Sequence, residues 1–242
     1  MLLSPSVTSA FKMHALQEFP REACGVVCGA VYVPCRNAAD DPLHDFAIRG
    51  EELGRIALQQ GTIDALLHTH PYDKRFALER PWEWPSALDQ QSAWASGIPW
   101  GIAATDGEGL SPLVWIDDAN PQPLVGRDFI WGVNDCLSLV RDWFRLERGI
   151  TFANVPRDWG FWERREELYL QNFAAVGFKV IRADEAQVGD CCLMRLWNNV
   201  TCHAAVLTAP DTILHHRLNC KSGHDRLRKW RSCITTWVRY SP

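Results

Sequence analysis

No long run of lysine or arginine occurs in the chain, whose formal net charge is -4. Binding to a phosphate backbone needs clustered positive charge, so nucleic acid is not expected as the main partner. No apolar run approaches the roughly 20 residues that span a bilayer. The first twenty residues have no apolar stretch behind a basic one, so no signal peptide is expected either. These absences predict a chain made and kept in the cytosol unless a larger assembly carries it out. The nine cysteines lack an even count and a regular spacing, which argues against a secreted disulfide framework. Most of them, Cys24, Cys28, Cys191 and Cys192 included, read as reduced and buried small apolar side chains.

What is present is the balance of a folded protein: 47% apolar and 22% charged residues over 242 positions, enough for two ordinary domains. Twelve tryptophans are many for this length, and Trp82, Trp84, Trp94 and Trp100 crowd one stretch. They line a groove or a partner surface or, as the commoner alternative, fill core and scattered surface. Periodicity predicts helices over 5–19, 50–60, 85–96, 134–148 and 158–176. Strands are predicted in 23–33 around Gly29, at 44–49, 63–69, 98–104 and 113–116, and then near 178–182, 190–196, 202–208, 212–217 and 233–240. Residues 117–126 have linker composition. The expected organisation is a first domain at 1–118, a linker at 119–126 and a second domain at 127–242.

His68 and His70 sit two apart on an expected strand, where alternate residues share a face, so both imidazoles can converge on one ion. Zinc suits imidazole and carboxylate ligands, and a catalytic zinc keeps three protein ligands plus a water. Asp89, one turn into the helix after Pro85, is a third ligand of the right kind. Glu22, beside the strand that starts near Ala23, is the carboxylate placed to deprotonate that water. Each piece has an ordinary alternative: a loop histidine pair, a surface acid, and a Ser86–Asp89 helix capping box. Taken in order, Glu22-x-x-Gly25-x-x-x-Gly29, His68-x-His70-Pro71 and Ser86-x-x-Asp89 resemble the JAMM (MPN+) metalloprotease motif. That resemblance covers roughly residues 1–116. It implies His68, His70 and Asp89 as zinc ligands, Glu22 as general base and Ser86 as the residue stabilising the oxyanion. The segment from Pro71 to Ser86, with Arg75, Arg80, Trp82 and Trp84, is longer than the compact family pattern.

In the second half, Asn134-Asp135 offers a helix N-cap and places Cys136 in the first turn, where free N–H groups and the helix dipole favour a thiolate. His203 and His215 fall on successive expected strands, which can bring the imidazoles side by side, one as base and one orienting it. A buried core cysteine and an ordinary His215-His216 pair are the alternatives. Asp135-Cys136 opening a helix, Gly189-Asp190, His203-Ala204-Ala205-Val206 and Ile213-Leu214-His215 together resemble the NlpC/P60 cysteine peptidases over about 127–242. That resemblance implies a papain-like core, Cys136 as nucleophile, His203 as base and His215 as the orienting residue. It also implies peptidoglycan stem peptides as a substrate class. His216 has the wrong parity to share the face of His215. Leu137 stands where many relatives have a small polar residue, and Trp131 where they have an aromatic or histidine near the oxyanion, which leaves the oxyanion donor unassigned.

The fold class expected is α+β in two domains: a JAMM/MPN-like mixed β-sheet with flanking helices, then a papain-like NlpC/P60 domain. The two in this order resemble a family of tail tip assembly proteins of lambda-like phages. Gly126-Arg127-Asp128-Phe129, the run from Asp135-Cys136 to Arg141-Asp142-Trp143, and His203-Ala204-Ala205 with His215-His216 carry this likeness. It implies other tail tip proteins as partners, manufacture in the host cytoplasm and a place at the virion tail tip. The expected activity is zinc-water hydrolysis in the first domain and Cys-His-His hydrolysis in the second, on cell-wall peptides or a protein substrate. A structural tip component with vestigial sites and a free cytosolic isopeptidase are the alternatives. Both constellations keep every acid, base and nucleophile that the chemistry needs, which weighs against the former.

Overall fold

The computed structural model describes residues 2–76, 82–196 and 199–242. Arg80 lies outside them. The chain forms two compact units, residues 1–85 with 91–120 and residues 86–90 with 121–242.

The first unit begins with helix α1 (Pro5–Glu18), which Ser4 caps by accepting from the Val7 amide. Strands β1 (Cys24–Cys28) and β2 (Val31–Cys35) form a hairpin. Its two-residue turn uses Gly29 at a φ of 57°, in the left-handed region that glycine enters without steric cost. Helix α2 (Gly50–Gln60), strand β3 (Ala65–Pro71) and strands β4 (Trp100–Thr105) and β5 (Val114–Ile116) follow, and helix α3 (Ala87–Ser96), whose residues up to 90 count with the second unit, comes between β3 and β4 in the chain. The sheet order is β2-β1-β3-β4-β5, with β3 and β4 parallel and the other pairs antiparallel. Parallel neighbours need a crossover, and α3 lies in the connection between them.

Strand β1 is buried along its whole length because both faces of the sheet are covered. On one face Val7 and Phe11 of α1 pack with Val27, Tyr32, Leu67 and Ala103. On the other, Ile56 of α2 packs with Cys24, Val26, Cys28 and Cys35. Trp84 and Trp100 are core residues, while Trp82 and Trp94 are half-buried.

The strand expected at 44–49 does not form. Asn37 holds that stretch as a loop: its Oδ1 accepts from the Ala39 and Ala47 amides, and its Nδ2 donates to the Glu22 and Asp45 carbonyls. A short polar side chain that satisfies this many backbone groups removes the need for a ladder.

The second unit carries helix α4 (Cys136–Arg148), helix α5 (Leu168–Ala175) and strands β6 (Phe178–Ile181), β7 (Cys191–Met194), β8 (His203–Ala209), β9 (Thr212–His215), β10 (Gly223–Arg226) and β11 (Ile234–Tyr240). They form an antiparallel sheet in the order β10-β9-β8-β7-β11-β6. Cys192, Met194, Ala205, Leu207, Ile213, Leu227 and Trp237 make a core on one face. Helix α4 packs on β8 and ends at Gly149, a left-handed C-cap with φ 66°. The helix expected over 158–176 is interrupted: a 3-10 turn at Phe161–Arg164 is flanked by left-handed Gly160 (φ 82°) and Arg165 (φ 58°), and only α5 is α-helical. Strand β10 has no counterpart among the expected strands, since Gly-His-Asp-Arg carries no apolar alternation. All nine cysteines are free and seven are buried.

Candidate functional site

Two groups of chemistry-bearing side chains stand out. In the first unit, β3 is buried on both faces, and His68 and His70 point to the same one. Their Nε2 atoms lie 3.2 Å apart. Two nitrogens at about 2.05 Å from a tetrahedral zinc are about 3.3 Å apart, so the spacing fits a shared ion. The Nδ1–H of His70 donates to the Trp82 carbonyl at 2.7 Å, which fixes the tautomer that leaves Nε2 as a lone-pair donor. His68 stacks on Phe46, with centroids 4.3 Å apart, and meets the edge of Trp100, so its ring is held by packing.

Asp89 Oδ2 accepts from both the amide and the hydroxyl of Ser86 (2.8 and 2.7 Å), and the Asp89 amide donates back to Ser86 Oγ. Ser86 and Asp89 therefore form a capping box at the start of α3, and the same box orients the carboxylate. Glu22 is buried just before β1. Cys24 pairs with His68, so extending that register sets Glu22 opposite His70. Glu22 also lines a cavity of about 530 Å³ shared with Arg21, Arg36 and Asn37.

In the second unit, Cys136 opens α4 and is 2% exposed. Asp135 is the N-cap, its Oδ1 accepting from the Leu137 and Ser138 amides and its Oδ2 from the Gly132 amide. Burial works against the Asp135 charge. The Arg157 guanidinium and these backbone bonds outweigh it and hold the carboxyl below its usual range. Arg157 binds both Asp135 oxygens, at 2.6 and 2.9 Å, and Ser138 Oγ at 2.8 Å.

The thiol itself is not a resting thiolate. Burial, reinforced by the neighbouring Asp135 charge, pushes Cys136 up to about 12 against the pull of Tyr169 and the Ala204 amide. The sequence predicts a helix start that favours the thiolate; the burial that opposes it is a property of the packed unit. Cys136 Sγ lies 3.3 Å from the Tyr169 hydroxyl. Burial keeps that phenol protonated.

His203 on β8 and His215 on β9 point to one face, because Ala205 pairs with His215 and shares a face with His203. His203 Nε2 and His215 Nδ1 are 3.0 Å apart. Desolvation lowers His203 to about 3 and His215 to about 4, so both rings are neutral at neutral pH. Asp225 Oδ2 lies 3.3 Å from His215 Nε2, and the Trp230 ring packs against both imidazoles. Cys136 and His203 share no hydrogen bond among the described residues; Tyr169 is the side-chain partner of the thiol. His216 turns away, donating to the Cys220 carbonyl at 3.1 Å and meeting Phe129 edge-on. Trp131 belongs to an aromatic cluster with Trp159, Phe161 and Trp162, and its indole N–H donates to the Arg157 carbonyl.

Sequence reasoning missed Arg157, Tyr169, Asp225 and Trp230. Each is brought in by long-range packing, and only the Asp-Cys N-cap, which calls for a buried cation to balance it, hinted at any of them.

This second unit belongs to a recognisable class: the NlpC/P60 family model matches residues 126–233. A solved NLP/P60-family protein from Staphylococcus aureus is similar to 49% of this chain and 38% of its own, at 19% identity and a TM-score of 0.36. Two curated proteins match over much more of the length. The tail tip assembly protein K of Escherichia phage N15 is 31% identical over 214 residues, 86% of this chain and 82% of that protein. Its counterpart from Escherichia phage lambda is 31% identical over 177 residues, 72% of this chain and 80% of that protein. The chain belongs to the tail tip assembly protein K family.

Proposed function

We propose that this chain is a phage tail tip protein whose second unit is a cysteine peptidase acting on peptide cross-links of the cell wall, or on a tip protein. The observation that carries this is the Cys136 thiol at the start of α4 in a unit that also pairs His203 with His215 at 3.0 Å. In the proposed reaction His203 takes the thiol proton as substrate enters, since catalytic contacts often tighten only in the complex. Sγ then attacks the carbonyl carbon, and the leaving amine takes that proton from His203. Water hydrolyses the resulting thioester and restores the thiol. The Tyr169 hydroxyl, 3.3 Å from the thiol, is assigned to the developing oxyanion. Manufacture in the host cytoplasm, assembly with other tail tip proteins and a place at the virion tail tip are part of this proposal, and family membership supports them.

We also propose a JAMM-like zinc hydrolase activity, with His68, His70 and Asp89 as the zinc ligands. The two converging imidazoles support it. Bound zinc supplies Lewis acidity, which polarises a carbonyl and acidifies water. Glu22 is the residue assigned to accept the water proton. Ser86, placed by its capping bonds beside Asp89, is assigned to the oxyanion.

The test is digestion of purified peptidoglycan by wild type and by Cys136→Ala. Muropeptide release by wild type alone is expected. Equal release by both sinks the lytic reading and favours a structural tip component.

A further inference from the structure

We propose that Asp225 is a positioning residue of the cysteine site, fixing the tautomers of His215 and His203 so that the His203 Nδ1 lone pair is the one offered to the thiol proton. The proposal rests on the cysteine hydrolase reading above. Strand β10 pairs with β9 so that Asp225 lies opposite Ile213, two residues before His215 and on the same face. Its Oδ2 is 3.3 Å from His215 Nε2. An ionised carboxylate only accepts hydrogen bonds, so His215 Nε2–H donates to it. The neutral ring then has its acceptor at Nδ1, which is 3.0 Å from His203 Nε2. His203 Nε2–H must donate in turn, and its one remaining lone pair is on Nδ1. Without a fixed acceptor at the far end, two imidazoles can hydrogen-bond equally well in the opposite direction. His203 would then carry its proton on Nδ1 and could not act as the base.

Asp225 is itself held in place. Lys229 Nζ donates to Oδ1 at 3.1 Å and the Trp230 indole N–H to Oδ2 at 3.3 Å. Trp230 in turn lies 4.7 Å from the His215 ring centroid and 6.0 Å from that of His203. Of the other titratable groups that act on the pair, Arg217 and His216 oppose a positive charge on either ring. Asp135 favours a proton on His203, and Asp225 favours one on His215. The Arg217 guanidinium lies over the Trp230 ring at 5.8 Å. A proton taken from Cys136 therefore enters a chain whose far end is the one carboxylate in contact with either imidazole among the described residues.

The test uses the full chain with 15N-labelled histidine. The nitrogen shifts of the wild type at neutral pH are expected to show both His203 and His215 as Nε2–H tautomers. His203 as the Nδ1–H tautomer overturns the proposal, whatever any variant does. Asp225→Asn, checked for an unchanged far-ultraviolet spectrum, is expected to lose the single tautomer. Its Cys136, followed by peptide mass after iodoacetamide, is expected to alkylate roughly ten-fold more slowly at neutral pH, equivalent to one pK unit, with the pH midpoint moved up. A wild-type rate and pH midpoint in Asp225→Asn overturn it. His203→Ala separates the two levels of the argument. If it alkylates like wild type, the cysteine hydrolase reading fails as well; if it is slowed while Asp225→Asn is not, only the role of Asp225 fails.

Discussion

Replacing Arg157 by methionine removes one partner of an ion pair that is almost wholly out of water. Arg157 is 3% exposed and Asp135 0%. The guanidinium gives two bonds to the carboxylate, one to Ser138 Oγ and one to the Val155 carbonyl. Methionine fills most of the volume of the side-chain stem but supplies none of these donors. Asp135 is then left charged and buried, with only the Gly132, Leu137 and Ser138 amides to satisfy it. Breaking a buried pair on one side costs about 3–5 kcal/mol. For a unit of this size that is a fall in unfolding midpoint of about 10–20 °C. The assay is thermal and urea unfolding of the full chain, followed by tryptophan fluorescence. The double variant Arg157→Met/Asp135→Asn keeps a capping side chain without the charge, and is expected to recover about 2 kcal/mol, since most of the loss is the stranded carboxylate. A loss under about 1 kcal/mol in the single variant, or an equal loss in single and double variants, refutes the reasoning.

Acid is expected to destabilise the second unit in a defined window. His203 and His215 have folded values of about 3 and about 4 against an ordinary 6.5, so the unfolded chain binds more protons below 6.5. Their contribution is intact above that value and is lost as pH falls toward the folded values, by roughly 2 kcal/mol per ring at pH 5. A urea midpoint unchanged between pH 7 and pH 5 contradicts the buried neutral pair. For the first unit, metal analysis after dialysis against zinc is expected to give one ion per chain, falling to near zero in His68→Ala or His70→Ala. Retention of a full equivalent by either variant removes the two histidines from the ligand set.

Much of the second site was legible because its signals are local. An Asp-Cys pair ahead of an amphipathic run specifies an N-cap and a cysteine in the first turn, whatever the rest of the chain does. His203 and His215 were placed on neighbouring strands by alternation, and the parity that excludes His216 follows from the same period of two. The histidines of β3 share a face for that reason too. The strand expected at 44–49 failed because alternation cannot register Asn37, whose side chain binds that backbone from about ten residues away. The helix expected over 158–176 failed because its periodicity hides two left-handed residues, one of them a non-glycine.

The sequence by itself thus determined which element presents each candidate side chain it named, since caps and strand parity depend on near neighbours. Tertiary structure alone decided their electrical state and their partners. Cys136 is a neutral thiol rather than a thiolate because the packed unit excludes water around it, and a low dielectric outweighs the pull of a helix terminus. Arg157, Tyr169 and Asp225 reach the site from 21, 33 and 89 residues beyond the cysteine, because sheet order and helix packing, not chain proximity, set what faces a buried charge.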